Sequence, residues 1–250
     1  MTRVAVNGAA GRMGRTVIET ATDRDDVDVV VGIGTEAGEV GSVPVVAEDV
    51  AGALAANDVD VVVDFAVPEA TLSVADACVE AGVGLVVGTT GFDDDGLAAL
   101  DTAAESVPLL KATNFSRGIQ VLQRTVREAV RALDDYDLEL LESHHNGKVD
   151  APSGTAKSLL EVVQSERDVE PVYGREGHAP RDEDEIGVFA RRAGDIRGEH
   201  ELVLAGNDEV VSLSHRAEDR AVFAAGALDA AAWLAGRDAG RYDFGTVVDE

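Results

Sequence analysis

His144, His145 and Lys148 fall within five consecutive positions of the segment ESHHNGKVDAPSGTA, residues 142–156. An imidazole at the end of a strand can reach a ligand and transfer a proton near neutral pH, and a lysine adds a full positive charge beside it. Pro152 followed by Ser153, Gly154 and Thr155 reads as a helix start. Serine or threonine can cap it, and the open amides of Gly154 and Thr155 attract a carboxylate. Each residue alone has a plainer reading: a structural histidine, a solvated lysine, a simple cap. Together they describe a site for a small anionic substrate with an acid able to protonate it. Composition favours the joint reading, because lysine occurs only at Lys111, Lys148 and Lys157. Lys157 would lie on the new helix and stays outside the site.

A second constellation opens the chain. GAAGRMG places Gly8, Gly11 and Gly14 between a predicted strand and a predicted helix. Glycine lets a backbone approach a pyrophosphate, and a helix N-terminus favours the anion. The spacing is GxxGxxG rather than GxGxxG, and tight helix–strand packing alone could also demand these glycines. The second predicted strand leads to Glu36, placed where an acid accepts hydrogen bonds from adenosine ribose hydroxyls. It could equally be one more surface acid. Ala37 follows it, so no arginine stands directly after to neutralise a 2′-phosphate. That favours NADH over NADPH, although an arginine elsewhere could serve. VVGTTGF and KATNFS fall at further predicted strand ends, where ligands bind in such sheets. Thr89, Thr90 and Asn114 can supply hydrogen bonds there, and Phe115 offers a flat face.

The elements that must position these residues follow from periodicity. RVAVNG, VDVVVGIG, VPVVA, VDVVVDFA, GLVVGTTG and VPLLKAT read as strands separated by helices, with a polar loop before VPVVA. Apolar strands flanked by helices predict an α/β fold with a doubly wound parallel sheet of the Rossmann kind. After NFSRG the pattern changes. A helix over about 119–133 precedes YDLELLESHH, which alternates like a half-exposed strand, and a helix follows from 155 to about 166. IGVFARR, EHELVLAG and EVVSLSH are strands separated by glycine or Asn-Asp turn signals. They predict a smaller α+β domain with a mixed or antiparallel sheet. AVFAAGALDAAAWLAG is a closing helix.

Bulk properties restrict the function classes. The chain has 250 residues and a formal net charge of −27, with acids spread over loops and helix faces. Such a surface suits a salt-rich cytoplasm and repels polyanions, so nucleic-acid binding is not expected. The single cysteine, Cys78, lies in a helical pattern and reads as a buried residue, unable to form an internal disulfide or a cysteine-rich metal site. No metal is expected. No apolar run approaches a membrane span and the N-terminus shows no signal pattern, so a soluble cytoplasmic protein is expected, without membrane partners.

The motifs VNGAAGRMGR, DFAVPEATL, VVGTTGF, ATNFS, ESHHNGKVDAPSGTAK, YGREGH, RRAGDIRGEHEL and GALDAAAWL together resemble the 4-hydroxy-tetrahydrodipicolinate reductase (dihydrodipicolinate reductase) family of the diaminopimelate–lysine pathway. The resemblance runs nearly the whole length. It implies reduction of a small cyclic dicarboxylate by NADH or NADPH to tetrahydrodipicolinate. By the same resemblance His144 is the proton donor/acceptor and Lys148 the second catalytic group, while His145, Gly154 and Thr155 contact substrate. Gly8, Ala9, Ala10, Gly11, Arg12, Met13, Glu36, Gly88, Thr89, Thr90, Ala112, Thr113, Asn114 and Phe115 match nucleotide-binding positions. The implied organisation is a dinucleotide-binding domain over 1–115 completed by 221–250, with a domain over 116–220 that binds substrate and builds a homotetramer through its sheet. The chain departs from the family pattern at Ala37 and at Val67, where some members carry arginine. Another two-domain amino-acid dehydrogenase, such as an aspartate dehydrogenase, is the nearest enzymatic alternative. A nucleotide sensor without chemistry is the alternative from another class, and it would need no proton donor.

Overall fold

The structure, a computed structural model, describes all of residues 1–250. In chain order the elements are β1 (Thr2–Asn7), α1 (Arg12–Ala21), β2 (Val27–Ile33), β3 (Gly38–Val40), β4 (Val43–Val46), α2 (Val50–Ala56), β5 (Val61–Asp64), α3 (Pro68–Ala81), β6 (Gly84–Val87), α4 (Asp94–Ala104) and β7 (Pro108–Lys111). There follow α5 (Arg117–Ala132), β8 (Asp137–His144), α6 (Gly154–Glu166), β9 (Glu170–Tyr173), β10 (Glu185–Arg192), β11 (Glu199–Gly206) and β12 (Glu209–Arg216). The chain ends with α7 (Ala221–Leu234), β13 (Gly240–Tyr242) and α8 (Phe244–Asp249). It divides into one unit of Met1–Phe115 with Arg220–Glu250 and a second of Ser116–Asp219.

The first unit is a Rossmann-like α/β fold on an eight-stranded sheet of order β13-β7-β6-β5-β1-β2-β4-β3. All its pairings are parallel except that of β3 with β4. Side chains alternate across a strand. Val4, Val6, Val61 and Val63 therefore join a core with Val17, Leu228 and Leu234, while Ala5 and Val62 join a second one with Leu54, Val74 and Leu100. Helices thus cover both faces, as near-continuous apolar strands require. Cys78 is fully buried in the second core, and burial pushes its thiol far up, so it is an inert packing residue.

Helix α7 approaches the sheet closely because it is rich in alanine. A Cβ at Gly226 would lie 1.8 Å from the Phe115 carbonyl oxygen. Helix propensity alone would have Gly226→Ala gain about 1 kcal/mol. Overpacking is expected to reverse that sign and destabilise by roughly 1–3 kcal/mol, read as a lower urea midpoint at fixed salt.

The second unit carries a mixed sheet of order β12-β11-β8-β10-β9. β8, β10 and β9 are parallel, the chain passing from β8 through α6 and the edge strand β9 to β10, whereas β11 is antiparallel to β8 and to β12. Asn207 and Asp208 both adopt positive φ, the twist that a two-residue hairpin between β11 and β12 needs. On α5 the spacing Ile119, Leu122, Val126, Val130 lays one stripe against Leu138 and Leu140 of β8. α6 adds Leu159, Leu160 and Val163 to the same core. The Ser116 hydroxyl caps α5 through the Ile119 amide, and Arg131 pairs with Glu166 to tie the two helices.

Four elements differ from expectation. The polar loop before β4 contains β3, and β9, β13 and α8 carry no clear local signal. They are three to six residues long. Pairing or packing with a neighbour defines each of them.

Candidate active site

The face of the second sheet that α5 and α6 cover changes from apolar to polar at one end. On β8, Leu138 and Leu140 give way to Glu142 and His144 at the same two-residue spacing, and on β11 Leu204 and Leu202 give way to His200. β10 ends with Arg192 in register with His144. The strand ends thereby build a polar cluster directly on the core.

Glu142 is fully buried. Its Oε2 lies 2.6 Å from His144 Nδ1 and accepts from Arg192 Nη1 at 2.8 Å, while Oε1 accepts from Arg192 Nη2 at 2.7 Å and from the Ser153 amide at 3.0 Å. Burial pushes the Glu142 carboxyl up, but the bonds from Arg192 and His144 outweigh it and hold the group below its ordinary range. Burial pulls His144 below its ordinary value, with Glu142 opposing and the charges of Lys148 and Arg192 assisting.

Ser153 caps α6, its hydroxyl accepting from the Ala156 amide at 3.2 Å, and shares a hydrogen bond of 3.0 Å with His200 Nε2. The His200 ring stands edge-on to His144, with centroids 5.3 Å apart. The loop between β8 and α6 is tied down by the Asn146 amide on the Gly194 carbonyl and the Lys148 amide on the His145 carbonyl. Lys148 Nζ pairs with Asp150 at 2.8 Å. His145 is half-buried, Gly154 exposed and Thr155 buried, while Lys157 is exposed on α6. His144, Lys148, Gly154 and Thr155 thus belong to one strand end, loop and helix start.

Burial, and then the neighbouring His144 charge, draw His200 down to about 4 from an ordinary 6.5. A histidine with a depressed folded pKa contributes its full stability above 6.5. That contribution is lost as pH falls toward 4, because only the unfolded chain protonates in this window. About 3 kcal/mol is at stake. His200→Gln is therefore expected to flatten the fall in unfolding free energy between pH 7 and 5, measured by urea denaturation at constant salt.

In the first unit the glycine loop leaves β1 at Gly8 with φ of 75°. A Cβ at Gly14 would lie 2.2 Å from the Gly8 carbonyl oxygen, so the loop and α1 pack without room for a side chain. The amides of Gly8 and Ala9 bond to the Ile33 carbonyl and that of Gly11 to Gly8. Gly11 begins α1 without a side-chain cap, which leaves the Arg12 and Met13 amides for an anion. This cradle fits a dinucleotide pyrophosphate. Ala10 is exposed beside it, Ala9 is buried, and Glu36 is exposed just beyond β2. Gly88, Thr90, Ala112, Thr113 and Asn114 follow the ends of β6 and β7.

Two expectations at these strand ends are corrected. The Phe115 ring offers no open face: it is 2 % exposed and packs edge-on between Phe65 and Phe244. The apolar surface of a ring at this position is removed from water by the closing segment of the chain. The Thr89 hydroxyl is likewise committed. It donates to buried Asp64 at 2.6 Å and accepts from the Ala66 amide at 2.9 Å. Asn7 and Thr71 also donate to Asp64, so this network locks the ends of β1, β5 and β6. Any contact of Thr89 or Phe115 with a nucleotide falls to the backbone.

Glu142, Arg192 and His200 were absent from the sequence-derived site, and Ser153 entered it only as a helix cap. The two-residue spacing of Glu142 and His144 was the one local signal available for them.

The family models described as "Dihydrodipicolinate reductase, N-terminus" and "Dihydrodipicolinate reductase, C-terminus" match residues 2–115 and 118–248. A protein of Haloarcula marismortui named 4-hydroxy-tetrahydrodipicolinate reductase is 73% identical over 251 residues, covering 100% of both chains. Its namesake from Natronomonas pharaonis is 55% identical, covering 98% of this chain and 99% of that one. Among solved structures, a dipicolinate-bound dihydrodipicolinate reductase from Paenisporosarcina sp. TG-14 superposes with a TM-score of 0.80 at 22% identity, covering 97% of each chain. With both halves matched in order, and relatives this close over the full length, the chain belongs to the dihydrodipicolinate reductase family.

Proposed function

We propose that this protein reduces 4-hydroxy-tetrahydrodipicolinate to tetrahydrodipicolinate with NAD(P)H, a step toward diaminopimelate and lysine. The observation that carries the reading is His144, held by its Nδ1 on a buried carboxylate in the same segment as Lys148 and the Ser153-capped start of α6. When bound, NAD(P)H supplies hydride. The nucleotide is held by Gly8 to Met13, Glu36, Gly88 to Thr90 and Ala112 to Phe115, with the Arg12 and Met13 amides on its pyrophosphate. Ala37 after Glu36 supports NADH as the better donor, since no cation at that position balances a 2′-phosphate.

Lys148 and the amides of Gly154 and Thr155 hold a substrate carboxylate, with His145 as a further contact. His144 stabilises the negative charge that develops on the substrate and then protonates it from Nε2. A dianion beside the ring raises its proton affinity, offsetting the effect of burial, so the acid form is present when it is needed. The domain of residues 116–219 also supports homotetramer formation: one face of its sheet is covered by α5 and α6, and the other presents Leu141, Ser143, Glu199, Glu201, Ser214 and Arg216 around a cavity of about 330 Å³.

The test is a coupled assay in concentrated salt. Dihydrodipicolinate synthase generates the substrate from pyruvate and aspartate semialdehyde, and oxidation of NADH and NADPH is followed separately. Synthase-dependent oxidation, faster with NADH, is expected. A folded protein that oxidises neither would overturn the activity, and one that strongly prefers NADPH would overturn the role of Ala37.

A further inference from the structure

We infer that Glu142, clamped by Arg192, is the positioning residue of the proton transfer. It sets which nitrogen of His144 reacts and fixes the loop and helix that bind the substrate carboxylate. This inference rests on the proposed role of His144.

Glu142 is 0% exposed and accepts three hydrogen bonds, two from Arg192 and one from the Ser153 amide, while its Oε2 also lies against His144 Nδ1. A carboxylate so satisfied stays ionised and can only accept hydrogen bonds. The His144 Nδ1 in contact with it must therefore carry a proton, whether the ring is neutral or charged. Nε2 becomes the nitrogen that loses and regains the mobile proton. Gly198 faces that edge of the ring without a side chain: a Cβ there would lie 3.2 Å from Nε2.

The same ion pair reaches the other substrate-binding elements. Arg192 Nη2 donates to the Asp150 carbonyl at 2.6 Å, and Asp150 carries the side chain that pairs with Lys148. Glu142 Oε1 holds the amide of Ser153, whose hydroxyl caps α6 immediately before Gly154 and Thr155. One buried carboxylate–guanidinium pair thereby couples the proton donor, the lysine loop and the helix start. Its groups face His144, His200, Lys148 and Asp150, and Glu142 is the one of them that both contacts the His144 ring and raises its proton affinity. The charges of Lys148 and Arg192 lower that affinity.

Three measurements on Glu142→Gln and Arg192→Lys test this. The first is the ¹⁵N chemical shift of the His144 ring nitrogens in the protein alone, assigned by comparison with His144→Gln. Wild type is expected to show protonated Nδ1 at neutral pH. Glu142→Gln, whose amide can donate as well as accept, is expected to show a mixture of tautomers. The second is steady-state kinetics. Glu142→Gln is expected to lose about 10² to 10⁴-fold in kcat with KM for NADH unchanged, the upper end being the effect of replacing a carboxylate that orients a catalytic histidine by its amide. Its kcat/KM should also fall away at lower pH than in wild type, because losing the neighbouring negative charge lowers the His144 pKa further. The third is dipicolinate binding by calorimetry. Arg192→Lys, which keeps the charge but not the fork, is expected to retain protonated Nδ1 and bind dipicolinate at least tenfold more weakly.

A Glu142→Gln protein with wild-type tautomer, kcat and pH profile would overturn the inference. If that variant does not fold, Arg192→Lys decides: unchanged dipicolinate affinity overturns the coupling. An inactive wild type that shows protonated Nδ1 and the tautomer shift in the variant would instead count against the reductase reading and leave the positioning intact.

Discussion

His144→Gln is expected to lower kcat by about 10² to 10⁴-fold while leaving the dissociation constant for NADH within about twofold. Glutamine keeps a donor for Glu142 and approximates the volume of imidazole, so the buried carboxylate is not abandoned. It cannot give up a proton near neutral pH. The proposed pyrophosphate cradle is built from the glycine loop and α1 of the other unit and contains no part of β8. Fluorescence titration with NADH and the synthase-coupled assay, run on the same preparation, separate the two effects. The pH profile adds a sign. Burial draws the His144 pKa below its ordinary value despite Glu142, so the protonated ring of the free protein is lost as pH rises through that depressed value. Wild-type kcat/KM should therefore decline from mildly acid toward alkaline pH, and the residual activity of His144→Gln should lack that limb. Equal turnover in variant and wild type would remove His144 from the proton transfer.

Lys148→Met is expected to raise KM for the dicarboxylate about 10 to 100-fold with a much smaller change in kcat. A charged hydrogen bond contributes roughly 1.5–3 kcal/mol where water is partly excluded, and Lys148 is only half-buried. In the free protein its ammonium is engaged by Asp150, so substrate must compete with or share that carboxylate. Asp150→Asn should accordingly shift KM the other way, downward, and the double variant should resemble Lys148→Met. Salt modulates both. A chain of net charge −27 repels a dianion at long range, and raising ionic strength to about 1 M shortens that field to roughly 3 Å while sparing contacts at the site. Wild-type KM should thus worsen as salt is withdrawn, with circular dichroism run alongside to register unfolding. A KM for Lys148→Met equal to that of wild type, in any salt, would take the lysine out of substrate binding.

How much of this was legible in advance can be judged element by element. The apolar runs of β1, β5 and β6 and the stripe Ile119, Leu122, Val126, Val130 on α5 were readable because a period of two or of 3.6 is a local property of the chain. The Asn207-Asp208 turn and the Ser153 start of α6 were readable for the same reason, since turn and cap chemistry depend on a few adjacent residues. β3, β9 and β13 were not, because three or four residues acquire strand geometry from the neighbour that pairs with them.

The amino-acid sequence by itself determined the α/β class, the glycine loop at the start of a helix, and the gathering of His144, Lys148, Gly154 and Thr155 within twelve residues. Those features need only spacing along one segment. Tertiary structure alone decided that Phe115 and Thr89 turn inward, because α7 and α8 close over the one and Asp64 captures the other. It also decided that Arg192, 50 residues from Glu142, would clamp it. The parallel register of β8 and β10, reached by way of α6 and β9, makes that meeting, and no periodicity along the chain encodes which residues two strands bring side by side.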